Sequence, residues 1–142
     1  MNKIVVFFIS LIFSCTYGFS QCRNFTLEKV VPKLNDYLLT GKYHSLQMAE
    51  GEEIMIFKTL SKGLAYRFVI MSDKNIPQPH FTILDWNNNV IFDNEKNNYT
   101  TSFNYKCKTT ERIKIIIKVP KSTQSNIQPK EGCVSLVIGI KS

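Results

Sequence analysis

Trp86 stands between Asp85 and the run Asn87-Asn88-Asn89, at a point where a strand should meet solvent. The flat face of an indole stacks on the apolar face of a sugar, and a polar rim then fixes orientation. Tyr66 and Tyr99 are the tyrosines that would extend such a platform. A tryptophan capping the open end of a core accounts for the same residues. Asp85, Asn87, Asn89 and Asp93 also offer oxygen ligands of the kind calcium takes. No glycine-centred twelve-residue loop with a closing glutamate surrounds them, and asparagines placed for turn conformation explain the run, so no metal is expected. His44 and His80 would act as a base or a metal pair only if the fold joined them, because neither has a cysteine or carboxylate at ligand spacing.

Recognisable catalytic patterns are missing. There is no G-x-S-x-G, no H-E-x-x-H, no phosphate-binding loop and no dinucleotide glycine motif. The chain therefore reads as a non-enzyme without a cofactor, and a small exported hydrolase is the enzymatic alternative. Arg112, Lys114 and Lys118 form a basic stripe on one strand face, which reads as a solvated outer face or as charges that discourage strand association.

The elements that must carry these residues are mostly strands. In Arg112–Val119, Ile113, Ile115, Ile117 and Val119 fall on one face and the basic residues on the other, with Pro120 ending the run. The apolar runs Ile54–Lys58 and Ala65–Met71 read as buried strands, separated by Ser61-Lys62-Gly63. His80–Asp85 and Val90–Phe92 form a hairpin across the asparagine turn, since asparagine tolerates left-handed backbone. Tyr99–Lys106 and Cys133–Ile140 are further strands, and Cys133–Ile140 is expected to pair with Arg112–Val119. Near the N-terminus, Leu27, Val30, Val31, Leu34 and Leu38 recur at helical spacing. Either Pro32 lies in the first turn of a helix from about Val31 to Leu39, stopped by Thr40-Gly41, or a longer helix bends there; the first is the expectation. Seven or so strands joined by short turns, with no βαβ alternation, predict a mainly β chain: an antiparallel, jelly-roll-like sandwich with a short N-terminal helix.

The first twenty residues stand apart. Lys3 followed by the apolar run Ile4–Phe13, with small residues at Gly18 and Ser20, reads as a signal peptide cleaved after Ser20. The alternative is a lipoprotein anchored at Cys15, within Ile12-Phe13-Ser14-Cys15, and only then is a membrane expected. Removal leaves about 120 residues, one ordinary domain. The expected division is 1–20 signal peptide, 21–50 a helical segment packed on the sandwich, and 51–142 the sandwich. The net charge of +7 is spread along the chain, which gives a nucleic-acid role little support.

Export permits a disulfide among Cys22, Cys107 and Cys133. If the last strand pairs with Arg112–Val119, Cys107 and Cys133 lie near opposite ends of that strand, roughly 24 Å apart. The link from Cys107 recovers at most about 14 Å, and a disulfide needs α-carbons within about 7 Å. A Cys107–Cys133 bridge is therefore disfavoured, and any internal bridge must use Cys22, with its partner left open.

The series Leu60-x-x-Gly63-x-x-Tyr66-x-Phe68-x-Ile70, Phe81-x-Ile83-x-Asp85, Phe103, Ile115-x-Ile117-x-Val119 and Gly132-Cys133-Val134-x-Leu136 resembles the bacterial pre-peptidase C-terminal (PPC) β-sandwich domains. It is also similar to secreted sandwich proteins of unknown function from Bacteroidetes-like bacteria. The resemblance covers about Gly51 to Lys141 and implies an accessory, non-catalytic role with no catalytic residues to carry over. The expectation is a secreted or periplasmic binding or interaction module with a protein or glycan partner. A carbohydrate-binding module using Trp86 and nearby tyrosines is the alternative.

Overall fold

Ile113, Ile115 and Ile117 are fully buried while Arg112 and Lys118 are exposed, so the alternation in this stretch is that of a strand with one wet face. The computed structural model describes residues 17–122 and 128–142. The strands are β1 (Leu38–Leu39), β2 (His44–Ala49), β3 (Glu53–Leu60), β4 (Ala65–Ser72), β5 (His80–Leu84), β6 (Val90–Asp93), β7 (Ser102–Lys106), β8 (Glu111–Lys118) and β9 (Glu131–Lys141). They form two antiparallel sheets packed as a sandwich. A five-stranded sheet runs β1/β2–β9–β4–β7, with β1 and β2 sharing one edge of β9, and a four-stranded sheet runs β3–β8–β5–β6. Phe68, Phe81, Leu60, Ile83 and Leu136 fill the space between them, and Phe92 and Phe103 stack 4.1 Å apart where β6 and β7 close one side.

The strand alternation survives in the structure, but the expected pairing does not. β8 pairs with β3 and β5, and β9 pairs with β4, β2 and β1 in the opposite sheet. Two neighbouring amphipathic strands can lie side by side or face to face across a core, and either arrangement buries the same side chains. The disulfide joins Cys22 to Cys133, with α-carbons 5.2 Å apart, and Cys107 is a buried free thiol whose Sγ donates to the Thr109 carbonyl. The pairing used to separate Cys107 from Cys133 is thus wrong. The two residues are instead held apart along the five-stranded sheet: Cys107 follows Lys106, which pairs with Ala65 at the start of β4, whereas Cys133 precedes Val134, which pairs with Ser72 at its end.

The N-terminal segment differs more. Helix α1 (Tyr17–Phe25) continues through a wide turn at Thr26–Val30 into a tight turn at Val31–Leu34, ending at Asn35 with φ 56°. Pro32 sits in the first positions of that last turn, where its missing N–H costs no helical bond. The helical run therefore begins well before the expected Val31–Leu39 and overlaps it only at Val31–Leu34. Leu38, at 74% exposure, belongs to β1. Within residues 21–50, β1 and β2 hydrogen-bond to β9. The lipidation candidate Cys15 and the apolar run Ile4–Phe13 lie outside the described residues, and α1 spans the expected cleavage junction. Among the described residues no helix is long and apolar enough to cross a membrane.

β9 is buried on both faces, and the reason is legible residue by residue. Val134, Leu136 and Ile138 point into the sandwich. Cys133, Ser135, Val137 and Gly139 point outward, and each meets one residue of the N-terminal run. Cys133 is bonded to Cys22, and the Ser135 and Thr26 hydroxyls lie 2.7 Å apart. Val137 packs with Val30. A Cβ on Gly139 would come within 3.0 Å of Leu34. Steps of four along a helix advance about 6 Å and steps of two along a strand about 6.8 Å, so the two series stay in step over four contacts.

Candidate functional site

Among the described residues the four-stranded sheet has no such cover. Its outward row is set by register: Phe57 opposite Lys114, Lys114 opposite Leu84, Leu84 opposite Val90, with Met55, Ile116 and Thr82 forming the next row. Met55 is 49%, Phe57 44% and Val90 58% exposed. Trp86, 55% exposed, follows β5 at the hairpin tip. Single exposed apolar residues are ordinary, but a contiguous set on one sheet face marks an interaction surface more often than chance placement does.

At the hairpin-tip end of that face is Arg112, near the start of β8. Its guanidinium carbon lies 5.0 Å from the Phe57 ring centre and 4.9 Å from that of Trp86, and the two rings are 6.3 Å apart. The ring quadrupoles attract the cation. Beside it a cleft of about 430 Å³ is lined by Asp85, Trp86, Asn87, Glu111 and Arg112. Asp85 is oriented by the asparagine turn. It accepts from the Asn89 backbone N–H at 2.8 Å and from Asn89 Nδ2 at 2.9 Å, and these bonds hold its carboxyl below the usual range. Asn88 supplies the left-handed residue of the turn, at φ 66°. Glu111 Oε1 accepts from the Tyr105 hydroxyl at 2.6 Å, and that bond, with burial second, pushes the phenol up to about 12.

The residues expected to form one aromatic platform are dispersed. Trp86 is on the exposed face. Tyr66 is 3% exposed, in the core, where its oxygen accepts from the Ser61 N–H, so it cannot touch a surface ligand. Tyr99 lies in a left-handed turn with φ 52°, ahead of β7 rather than within it, and its ring meets the edge of His80 at 6.4 Å. That contact is at the start of β5, whereas Trp86 lies beyond the other end of this strand of about 14 Å. The calcium ligands do not converge either. Asp85 and Asn89 share the hairpin turn, while Asp93, at the far end of β6, hydrogen-bonds His80. His44 and His80 lie on opposite sheets. His44 is half-buried on β2, and burial, then Lys58, lowers its pKa.

Thr82, His80 and Asp93 come together without forming a nucleophile relay. Asp93 Oδ1 and Thr82 Oγ1 both face Nε2 of His80, at 2.8 and 3.4 Å. In a relay the carboxylate and the hydroxyl take opposite ring nitrogens. The sequence reading missed Phe57 and Arg112 as partners of Trp86. The available signal was that β3 is apolar on both faces, with Met55 and Phe57 alternating with Ile54 and Ile56.

The chain matches no protein-family model and no curated protein. Among solved structures it is similar to Aeromonas hydrophila PliG, a periplasmic inhibitor of g-type lysozyme. The TM-score is 0.51 at 11% identity, over 75% of this chain and 89% of that one. At that identity the likeness is one of fold, an antiparallel two-sheet sandwich.

Proposed function

We propose that this is an exported, non-catalytic module that binds another protein through the outer face of the four-stranded sheet. The observation that carries the reading is Arg112 packed against both Phe57 and Trp86 within an exposed apolar face. Hot spots in protein interfaces are enriched in tryptophan and arginine surrounded by contacts that exclude water, and this face has both. Its charge sets the chemistry of the partner. Arg112, Lys114 and Lys118 call for carboxylates flanked by apolar surface. A glycoside hydrolase of the lysozyme type presents such a surface, because its cleft carries a pair of catalytic carboxylates. The fold likeness to a lysozyme inhibitor and the resemblance to accessory PPC domains both support a binding role. The Cys22–Cys133 disulfide supports export, by cleavage after Ser20 or lipidation at Cys15, since such bonds persist in oxidising compartments.

The test measures binding and inhibition of g-type and other lysozymes by the wild-type protein, Trp86→Ala and Arg112→Glu. The expected outcome is saturable inhibition that weakens by more than about tenfold in either variant, the scale of one interfacial hot spot. A second reading rests on the cleft of Asp85, Asn87, Glu111 and Trp86, which is the composition of a sugar subsite. Glycan-array binding abolished by Trp86→Ala, with no lysozyme bound, would replace the protein-binding reading with that one.

A further inference from the structure

At the other end of the same sheet face, His80, Asp93 and Glu95 bring one nitrogen and two carboxylate oxygens within 4.8 Å of one another. His80 Nε2 is 2.8 Å from Asp93 Oδ1 and 3.8 Å from Glu95 Oε2. A zinc-class cation bound at about 2.0–2.2 Å by imidazole and carboxylate places its ligand atoms about 3–3.5 Å apart, and the two measured separations bracket that value. Glu95 is the most exposed of the three, with its side chain 58% accessible, and a small rotation closes the longer distance. Asp93 is the most enclosed, at 16%.

The surroundings hold these ligands as a site needs. Asn94 is fully buried and ties the two strands that carry them. Its Oδ1 accepts from the Phe81 N–H at 2.8 Å, next to His80, and its Nδ2 donates to the Pro79 carbonyl at 3.0 Å. The Tyr99 hydroxyl donates to the second oxygen of Glu95 at 3.5 Å, and its ring stands edge-on to the imidazole. Outer contacts of this kind orient metal ligands. The geometry points to a binding site for a divalent first-row transition metal of the zinc class, with His80 Nε2, Asp93 and Glu95 as ligands and solvent completing the shell. A histidine with two carboxylates is borderline in softness and favours zinc, cobalt or nickel over magnesium or calcium. Binding needs the Nε2 lone pair. A neutral imidazole that donates Nε2–H to Asp93 moves its proton to Nδ1 through solvent, with none gained or lost overall.

Cobalt(II) is the probe for coordination, by its visible absorption, and zinc for affinity, by calorimetry and thermal shift on the full exported chain. The expected result is one zinc per chain, a raised Tm, and no response to magnesium. His80→Ala should weaken zinc binding by at least about tenfold, because even loss of an outer contact costs that much. Glu95→Gln, at an exposed position that leaves the fold intact, should weaken it too, and His44→Ala should leave it unchanged. Zinc binding that persists in both His80→Ala and Glu95→Gln would overturn the assignment, as would the absence of saturable binding by the wild-type protein. Neither result bears on the Trp86 face, which is tested separately.

Discussion

On the outer face of the five-stranded sheet, Cys133, Ser135, Val137 and Gly139 each meet a residue of the N-terminal run. On the outer face of the four-stranded sheet, Phe57, Trp86 and Val90 meet water. Both faces are made by the same alternation of side chains along antiparallel strands. The covered one is small and neutral, with a glycine, a serine and a valine that let a helix approach closely. The bare one is large and basic, with aromatic rings around a guanidinium. A chain that left Phe57 and Trp86 exposed by default would have no reason to pack Arg112 against both. The covered face serves stability and the bare face is the one proposed for recognition, and mutations should separate the two.

The largest effect should come from breaking the covered face at its covalent end. The Cys22–Cys133 bond spans 111 residues of sequence, and in the chain-entropy account a loop of that length stabilises by about 4–5 kcal/mol. Replacing both cysteines by serine should lower the urea midpoint correspondingly, and reductant should then have no further effect. A loss under about 1 kcal/mol would mean that the helical run holds to β9 through Thr26, Val30 and Leu34 alone.

Next comes a direct contrast of the two faces. Leu34 is 2% exposed beneath the helical run, so Leu34→Ala should cost about 3 kcal/mol. Phe57→Ala removes a larger side chain from the bare face and should cost no more than about 1 kcal/mol, the worth of an exposed cation–π contact. Equal losses in chemical denaturation would erase the distinction between the faces.

How far this contrast was legible beforehand depended on the range of the signal. Periodicity located β3, β4, β5, β6, β8 and β9 and the inward side of β8, because alternation is local. It could not choose partners. Strand pairing is a long-range matter, and β8 and β9, adjacent in sequence, lie in opposite sheets. The helical stripe showed Val30 and Leu34 but also enlisted Leu27 and Leu38, which are exposed, and passed over Cys22 and Thr26. A face that contacts the sheet through a disulfide and a hydroxyl pair has no hydrophobic pattern to read. At the candidate site, Trp86 stood out by position. Tyr66 did not, because an aromatic residue in a strand carries no mark of which face it takes, and here it faces the core.

The smallest effect concerns the link between core and bare face. The Tyr105 hydroxyl donates to Glu111, which lines the cleft beside Arg112 and Trp86, and the phenol is pushed from 10.0 up to about 12. A phenol is uncharged when protonated. Between these values the folded chain keeps a proton that the unfolded chain has released, so the contribution is complete below pH 10 and disappears as pH rises toward 12. Tyr105→Phe should therefore cost up to about 1 kcal/mol at about pH 9, one hydrogen bond's worth, and almost nothing at about pH 12. Urea midpoints of both proteins at the two pH values give the difference, with the other tyrosines and the lysines cancelling. A gap between wild type and variant that stays constant across this window would show that the Tyr105–Glu111 bond does not set the phenol's ionisation. Glu111 would then owe its place at the cleft to its strand position alone.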